Sequence, residues 1–177
     1  MDAPELDLDD ALMRPWRTDD LARLYAAGQD PEVARWIHLA QPFDAVEAMA
    51  YLDAAMALWR DGRGASFAIV DRDDQALLGA VTRFGPEGHG ATVGLWLVPA
   101  GRGRGIGTHA LRRLIDWSFA TTDVVRIDCY IEVGNEPSMR MVERAGFHRE
   151  GMLRAWEMGP DGPMDCVVWS VLRSDGR

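Results

Sequence analysis

From Gly101 to Thr108 the chain reads GRGRGIGT, with glycine at every second position and Arg102 and Arg104 between the first three. An apolar run, GLWLV, leads in, and Ile106, Ala110, Leu111, Leu114, Ile115 and Trp117 lead out at helical spacing. A strand, a glycine turn and a helix N-terminus make a ready anion site. Free backbone N–H groups and the positive end of the helix dipole converge there. Glycines let a bulky ligand reach the main chain, and arginine forks suit phosphate oxygens. Further on, Asn135 stands where a helix N-cap belongs, three residues before Ser138.

Several phosphate ligands fit a loop of this kind. GIGTHA, Gly105 to Ala110, matches the dinucleotide fingerprint, and Asp128 follows about 20 residues on. Asp128, however, falls inside a predicted strand, away from the end where it would reach a ribose, and too few parallel strands remain for a nucleotide domain. A P-loop needs a lysine, and all nineteen basic residues are arginine. The same absence removes Schiff-base chemistry, which requires an amine.

The elements that must carry these residues follow from periodicity. LMRPW (12–16) reads as a first strand, and residues 1–10 as an acidic tail holding five acids. Leu21, Leu24, Tyr25 and Gly28 form a helical stripe. Asp30 is an N-cap with Pro31 at the first helical position, and Asp44 with Glu47 makes a capping-box pattern. The first sixty residues are therefore mostly two helical segments after one strand. Three strands are predicted over 65–71, 76–84 and 91–98, separated by the turn chemistry of DRDD and GPEGHG, which makes an antiparallel meander. After them come a helix (105–120), a strand (124–131), a helix (136–146) with Gly146 as left-handed C-cap and Phe147 packing back on Val142, and two closing strands. The expected fold is α+β: a mixed, mostly antiparallel sheet with one parallel crossover at the glycine loop and flanking helices.

The 177 residues, 47% hydrophobic and 27% charged, suit one domain spanning 1–177. No apolar run reaches the ~20 residues of a membrane helix, and the N-terminus lacks an apolar signal core, so a cytoplasmic location is expected. A net charge of −9 disfavours nucleic acid and favours cationic partners. Cys129 and Cys166 make neither a disulfide framework nor a metal spacing, and no metal is expected.

Arg102-Gly103-Arg104-Gly105-Ile106-Gly107 resembles the R/Q-x-x-G-x-G/A loop of the GNAT superfamily of acyl-CoA-dependent N-acyltransferases. LMRPWRTDDLARLYAAGQDPEVARWI looks like that family's opening strand and paired helices. NEPSMRMVERAGFHREG is similar to a stretch of its ribosomal-protein-alanine acetyltransferase branch. The resemblance implies a GNAT fold with a splayed parallel pair of strands, acetyl-CoA as co-substrate, and a primary amine as acceptor, either a protein N-terminus or a small molecule. It leaves open succinyl or longer acyl groups, a sensor that binds acyl-CoA without turnover, and a monomer or a homodimer.

By the same resemblance, amides from Gly103 to Thr108, including Ile106, cradle the pyrophosphate of coenzyme A. Pantetheine pairs with main-chain groups of Trp96, Leu97 and Val98, an N–H at that strand's end is the oxyanion donor, and Asn135 bonds the pantetheine arm. Ser138 faces the thioester sulfur, and Arg140 reaches the 3′-phosphate; a cap and a solvated helix face are the plain readings of Asn135 and Arg140. Thr92 stands where many relatives carry a glutamate base, which moves attention to Glu132, or to Glu136 beside it, acting through a water. Trp36 and His38 are expected on the acceptor side. Asp165 matches a family acid that either fixes a loop or touches acceptor.

Overall fold

The computed structural model describes residues 4–159 and 162–176. Among the described residues, eight strands form one sheet in the order β1-β2-β3-β4-β5-β6-β8-β7. These are β1 (Leu6–Asp7), β2 (Ala11–Pro15), β3 (Gly64–Asp71), β4 (Leu77–Glu87), β5 (Gly90–Leu97), β6 (Arg126–Glu132), β7 (His148–Gly159) and β8 (Gly162–Leu172). The helices are α1 (Leu21–Ala27), α2 (Pro31–Trp36), α3 (Ala45–Arg60), α4 (Ile106–Thr121) and α5 (Glu136–Arg144).

Two local readings need correction. The first ten residues are not simply a tail: Leu6 and Asp7 pair with Met13 and Leu12, because alternation in ELDL buries Leu6 and Leu8 in the core while the acids face water. Residues 1–3 lie outside the described residues. The early helical region holds three helices rather than two, preceded by a 3-10 turn at Thr18–Asp20. Asp20 turns inward, accepting the Arg17 amide at 2.9 Å and a bidentate pair of bonds from Arg14 at 2.7 and 2.8 Å.

The predicted N-caps form, although Asp44 and Glu47 make only the Asp44 half of a capping box among the described residues. Asp30 accepts from the Val33 amide at 2.9 Å, Asp44 from Val46 and Glu47 at 2.8 and 3.0 Å, and Asn135 from Ser138 at 3.3 Å. Gly146 is left-handed at φ 93°, and the Phe147 amide returns to the Val142 carbonyl at 3.0 Å.

The sheet places its apolar residues on both faces. Phe67, Ile69, Val81 and Ile127 pack under α4 with Leu111, Leu114 and Ile115. A second cluster, with Ala68, Val70 and Trp96, packs against Leu24 of α1, Val33 of α2 and Leu52 of α3. The glycine loop and α4 make the crossover from β5 to β6, and this pair is the parallel one. It is paired only at Gly90↔Arg126, Ala91↔Ile127 and Thr92↔Asp128. Beyond that point β5 continues against β4 to Leu97 and β6 against β8 to Glu132, so the two strands part in the middle of the sheet.

Candidate active site

The parted strands open onto a cleft of about 810 Å³. Thr92 occupies the last position at which β5 still pairs with β6, so it marks the base of the fork. Val98 N–H is tied to the Leu78 carbonyl at 3.0 Å. Alternation along β5 therefore turns the main-chain groups of Leu95 and Leu97 toward the gap. Of the expected trio Trp96, Leu97 and Val98, only Leu97 offers its amide there. Trp96 lends its ring to the wall, its indole N–H donating to the Tyr51 hydroxyl at 2.9 Å, and Val98 does not line the cleft.

The four glycines of the loop serve two different needs. A β-carbon on Gly101 would lie 2.6 Å from the Leu78 carbonyl oxygen, and one on Gly107 would collide with Met141 Sδ. Those two are small because β4 and α5 press against the loop. Gly103 and Gly105 are left-handed, at φ 73° and 78°, with nothing within 4 Å of the point where a β-carbon would stand. These two leave open space above the turn. Gly105 is also the N-cap of α4, which has no side-chain cap and no acid in its first turn. Ile106, Gly107 and Thr108 thus keep first-turn amides with no carboxylate competing for them.

The two arginines of the loop are engaged in the fold. Arg102 donates through Nε to the Leu97 carbonyl at 2.9 Å and through Nη2 to Asp30 Oδ1 at 2.7 Å. Burial alone would raise the Asp30 carboxyl, but Arg102 and the Val33 amide outweigh it and hold its pKa below the usual carboxylate value. Arg104 sits 3.6 Å from Asp71 and donates to the Ala100 carbonyl at 3.3 Å. It does not line the cleft, whereas Arg102, Arg140 and Arg144 do.

At the start of α5, Asn135 Oδ1 caps the helix. Ser138 is half-buried on the cleft wall, and its hydroxyl makes no hydrogen bond among the described residues. Arg140 is exposed, loosely paired with Glu136 at 3.8 Å. Glu132 ends β6 on the same wall. On the opposite side, Trp36 donates to Glu32 at 3.0 Å and carries the Arg35 guanidinium over its ring at 4.5 Å. His38 is left-handed at φ 52°, and its Nδ1 is buried without a hydrogen-bond partner.

The cleft also holds residues that sequence reasoning passed over. Tyr51 extends from α3, its hydroxyl pKa raised by burial; it falls in the apolar stripe of that helix and carried no separate signal. Arg144 and Glu157 line the cleft as well. Among the described residues no group of three or more His, Cys, Asp or Glu could hold a metal ion.

A family model, described as an acetyltransferase (GNAT) domain, matches residues 10–148. The chain belongs to the GNAT acetyltransferases. Among curated relatives, the uncharacterized N-acetyltransferase YoaA of Bacillus subtilis is 24% identical over 172 residues, covering 96% of this chain and 97% of that one. Among solved structures, a ribosomal-protein-alanine acetyltransferase from Vibrio fischeri superposes with a TM-score of 0.85 at 20% identity, over 98% of this chain and 99% of that one. The acetyltransferase MccE, solved with acetyl-CoA and AMP, superposes at 0.83 with 19% identity over 93% of each. The dinucleotide reading fails on topology: among the described residues the sheet has a single parallel pair, and Asp128 sits inside β6 between Thr92 and Ser170.

Proposed function

We propose that this GNAT enzyme transfers an acetyl group from acetyl-CoA to a primary amine by direct attack within a ternary complex. The observation that carries the reading is the fork: β5 and β6 part after Thr92, and the cleft between them runs to the uncapped N-terminus of α4, where Gly107 sits by Leu95 and Leu97. A linear pantetheine arm fits between the strands and a pyrophosphate fits the amides of 106–108 above Gly103 and Gly105.

The chain's own groups then divide the work. Leu97 N–H is the oxyanion donor, preorganised because the strand holds it. Ser138 donates its unpartnered hydroxyl to the leaving sulfur; a thiol of pKa about 8.5 needs no stronger acid. Glu132 takes the amine proton through a water, since threonine at position 92 cannot. Trp36, His38 and Thr92 face the acceptor amine, which is a protein N-terminus or a small molecule.

A second reading, an acyl-CoA sensor without turnover, draws on the same Thr92. A thermal-shift and thiol-release screen of acyl-CoAs against amines and basic peptides separates the two. Release of coenzyme A that depends on an added amine supports the transferase, and stabilisation by acetyl-CoA without amine-dependent release supports the sensor. A preference for succinyl-CoA or a longer thioester would appear in the same screen.

A further inference from the structure

β7 and β8 slip by one residue between Arg149↔Trp169 and Gly151↔Val168, hold register from there to Leu153↔Cys166, lose it again, and resume at Glu157↔Met164. Between those pairs β7 has residues 154, 155 and 156 where β8 has Asp165 alone, so two extra residues are accommodated in a bulge. Asp165 Oδ1 accepts the Ala155 amide at 2.8 Å. Ala155 is left-handed at φ 51°, a conformation a residue with a β-carbon adopts at a cost and keeps only when its surroundings impose it.

The bulge sets where its last residue and the one after it point. Trp156 lies against Tyr130 of β6, ring centroids 5.1 Å apart and planes at 31°. Glu157, the next residue, lines the cleft from the hairpin side. Asp165 also holds the exit of β6, its carbonyl accepting the Val133 amide at 3.0 Å in the loop that leads to Asn135. Neither Glu157 nor Glu132 has an ion-pair partner among the described residues. Their proximity registers on a third group: the buried Cys166 thiol is pushed up to about 11, by burial first and then by the charges of Glu157, Glu132 and Asp165.

We infer that Asp165 is a positioning residue for acceptor choice: by pinning the β7 bulge it holds Glu157 at the cleft, where that carboxylate receives a positive charge on the acceptor beyond the reacting amine. The inference rests on the acetyltransferase reading of the cleft and deepens it. The preferred acceptors are then amines carrying a second cation, a diamine or a basic peptide segment.

The test uses a matched pair, 1,5-diaminopentane and 1-aminopentane, titrated calorimetrically into the full chain saturated with coenzyme A at low salt. The diamine should bind at least about fivefold tighter, the scale of one partly exposed ion pair. Glu157→Gln should abolish the preference without altering coenzyme A affinity. Asp165→Ala should do the same, while Asp165→Asn, which can still accept the Ala155 amide, should retain it; in the Asp165→Ala background, Ala155→Gly should restore part of it. Thermal melts separate loss of preference from loss of fold. Equal binding of the two amines, no binding of either, or a preference that survives Glu157→Gln overturns the inference. Failure of the acetyltransferase reading shows separately, as absent binding of coenzyme A and acetyl-CoA.

Discussion

Arg102 Nη2 lies 2.7 Å from Asp30 Oδ1, joining the glycine loop to the N-cap of α2 across seventy-two positions of sequence. The same guanidinium holds the Leu97 carbonyl. One side chain therefore ties together the proposed phosphate loop, the strand that borders the fork, and the helix that carries Trp36.

Arg102→Ala should loosen α2 as well as weaken binding of coenzyme A. The pair is partly exposed, at 39% and 18%, so its coupling in a double-mutant cycle with Asp30→Ala should stay below about 1 kcal/mol. Chemical denaturation of the four proteins reads the coupling. A loss of coenzyme A affinity in Arg102→Ala that Asp30→Ala leaves out would assign the arginine to phosphate rather than to the helix.

Gly105→Val should abolish acetyl-CoA binding while the domain stays folded. The position has open space around it but a φ of 78°, so the strain is about 1–2 kcal/mol, roughly 2–8 °C in Tm for a chain of this size. The added isopropyl group fills the room above the turn. Gly107→Ala should behave differently, lowering Tm through the clash of its methyl group with Met141 Sδ. Calorimetry and thermal melts on both variants check this, and normal acetyl-CoA binding by folded Gly105→Val would make the loop purely structural.

Ser138→Ala should lower kcat and kcat/KM together by about 10-fold to 1,000-fold, with coenzyme A affinity unchanged. Its hydroxyl has no hydrogen-bond partner to lose among the described residues, so stability should hardly move. Thr92→Ala should matter little, and Thr92→Glu should raise the rate by placing a carboxylate at the base of the fork. Wild-type kcat in Ser138→Ala, at saturating amine with chemistry rate-limiting, would shift suspicion to a water or to Glu132.

Dephospho-coenzyme A should bind more weakly than coenzyme A, and Arg140→Ala should erase that difference. Arg140 is exposed and only loosely held by Glu136, which leaves it free to swing to a ligand. Equal binding of the two ligands by the wild type would return Arg140 to the solvated helix face.

Acid should unfold the chain partly through Asp20. Burial raises that carboxyl, but the Arg14 guanidinium and the Arg17 amide more than offset it, and the net pKa lies below the ordinary value. A folded pKa below the unfolded one, about 3.9, means stability is present above that value and lost as pH falls through the folded pKa. Asp20→Asn should flatten the acid limb of a denaturation-midpoint profile and, by stranding the buried Arg14, cost about 3–5 kcal/mol at neutral pH.

Much of this architecture is legible because it is local. Asp30, Asp44 and Asn135 cap their helices through residues two or three positions away, and Gly146 ends α5 within its own turn. The apolar runs of β3 to β5, bounded by turn residues, and the stripe of α4 needed no distant partner to read. The glycine loop was legible as a turn ahead of a helix N-terminus for the same reason. Its arginines were not, since their partners Asp30 and Asp71 come from elsewhere in the chain.

The sequence by itself determined the strands and helices from α3 onward, the single crossover and the N-caps, because each depends on spacing within a few residues, and the loop motif carried the family; the β1 pairing and the number of early helices it did not reveal. Tertiary structure alone decided which groups meet in the cleft. Ala155 is held left-handed by a carboxylate ten residues away across a hairpin, and Tyr51 and Trp96 share a hydrogen bond from different layers. Val98 loses its amide to β4 while Leu97 keeps its own toward the gap. Such choices are made by packing and by the need to pair every buried donor once the layers are stacked, and nothing in the spacing of neighbours encodes them.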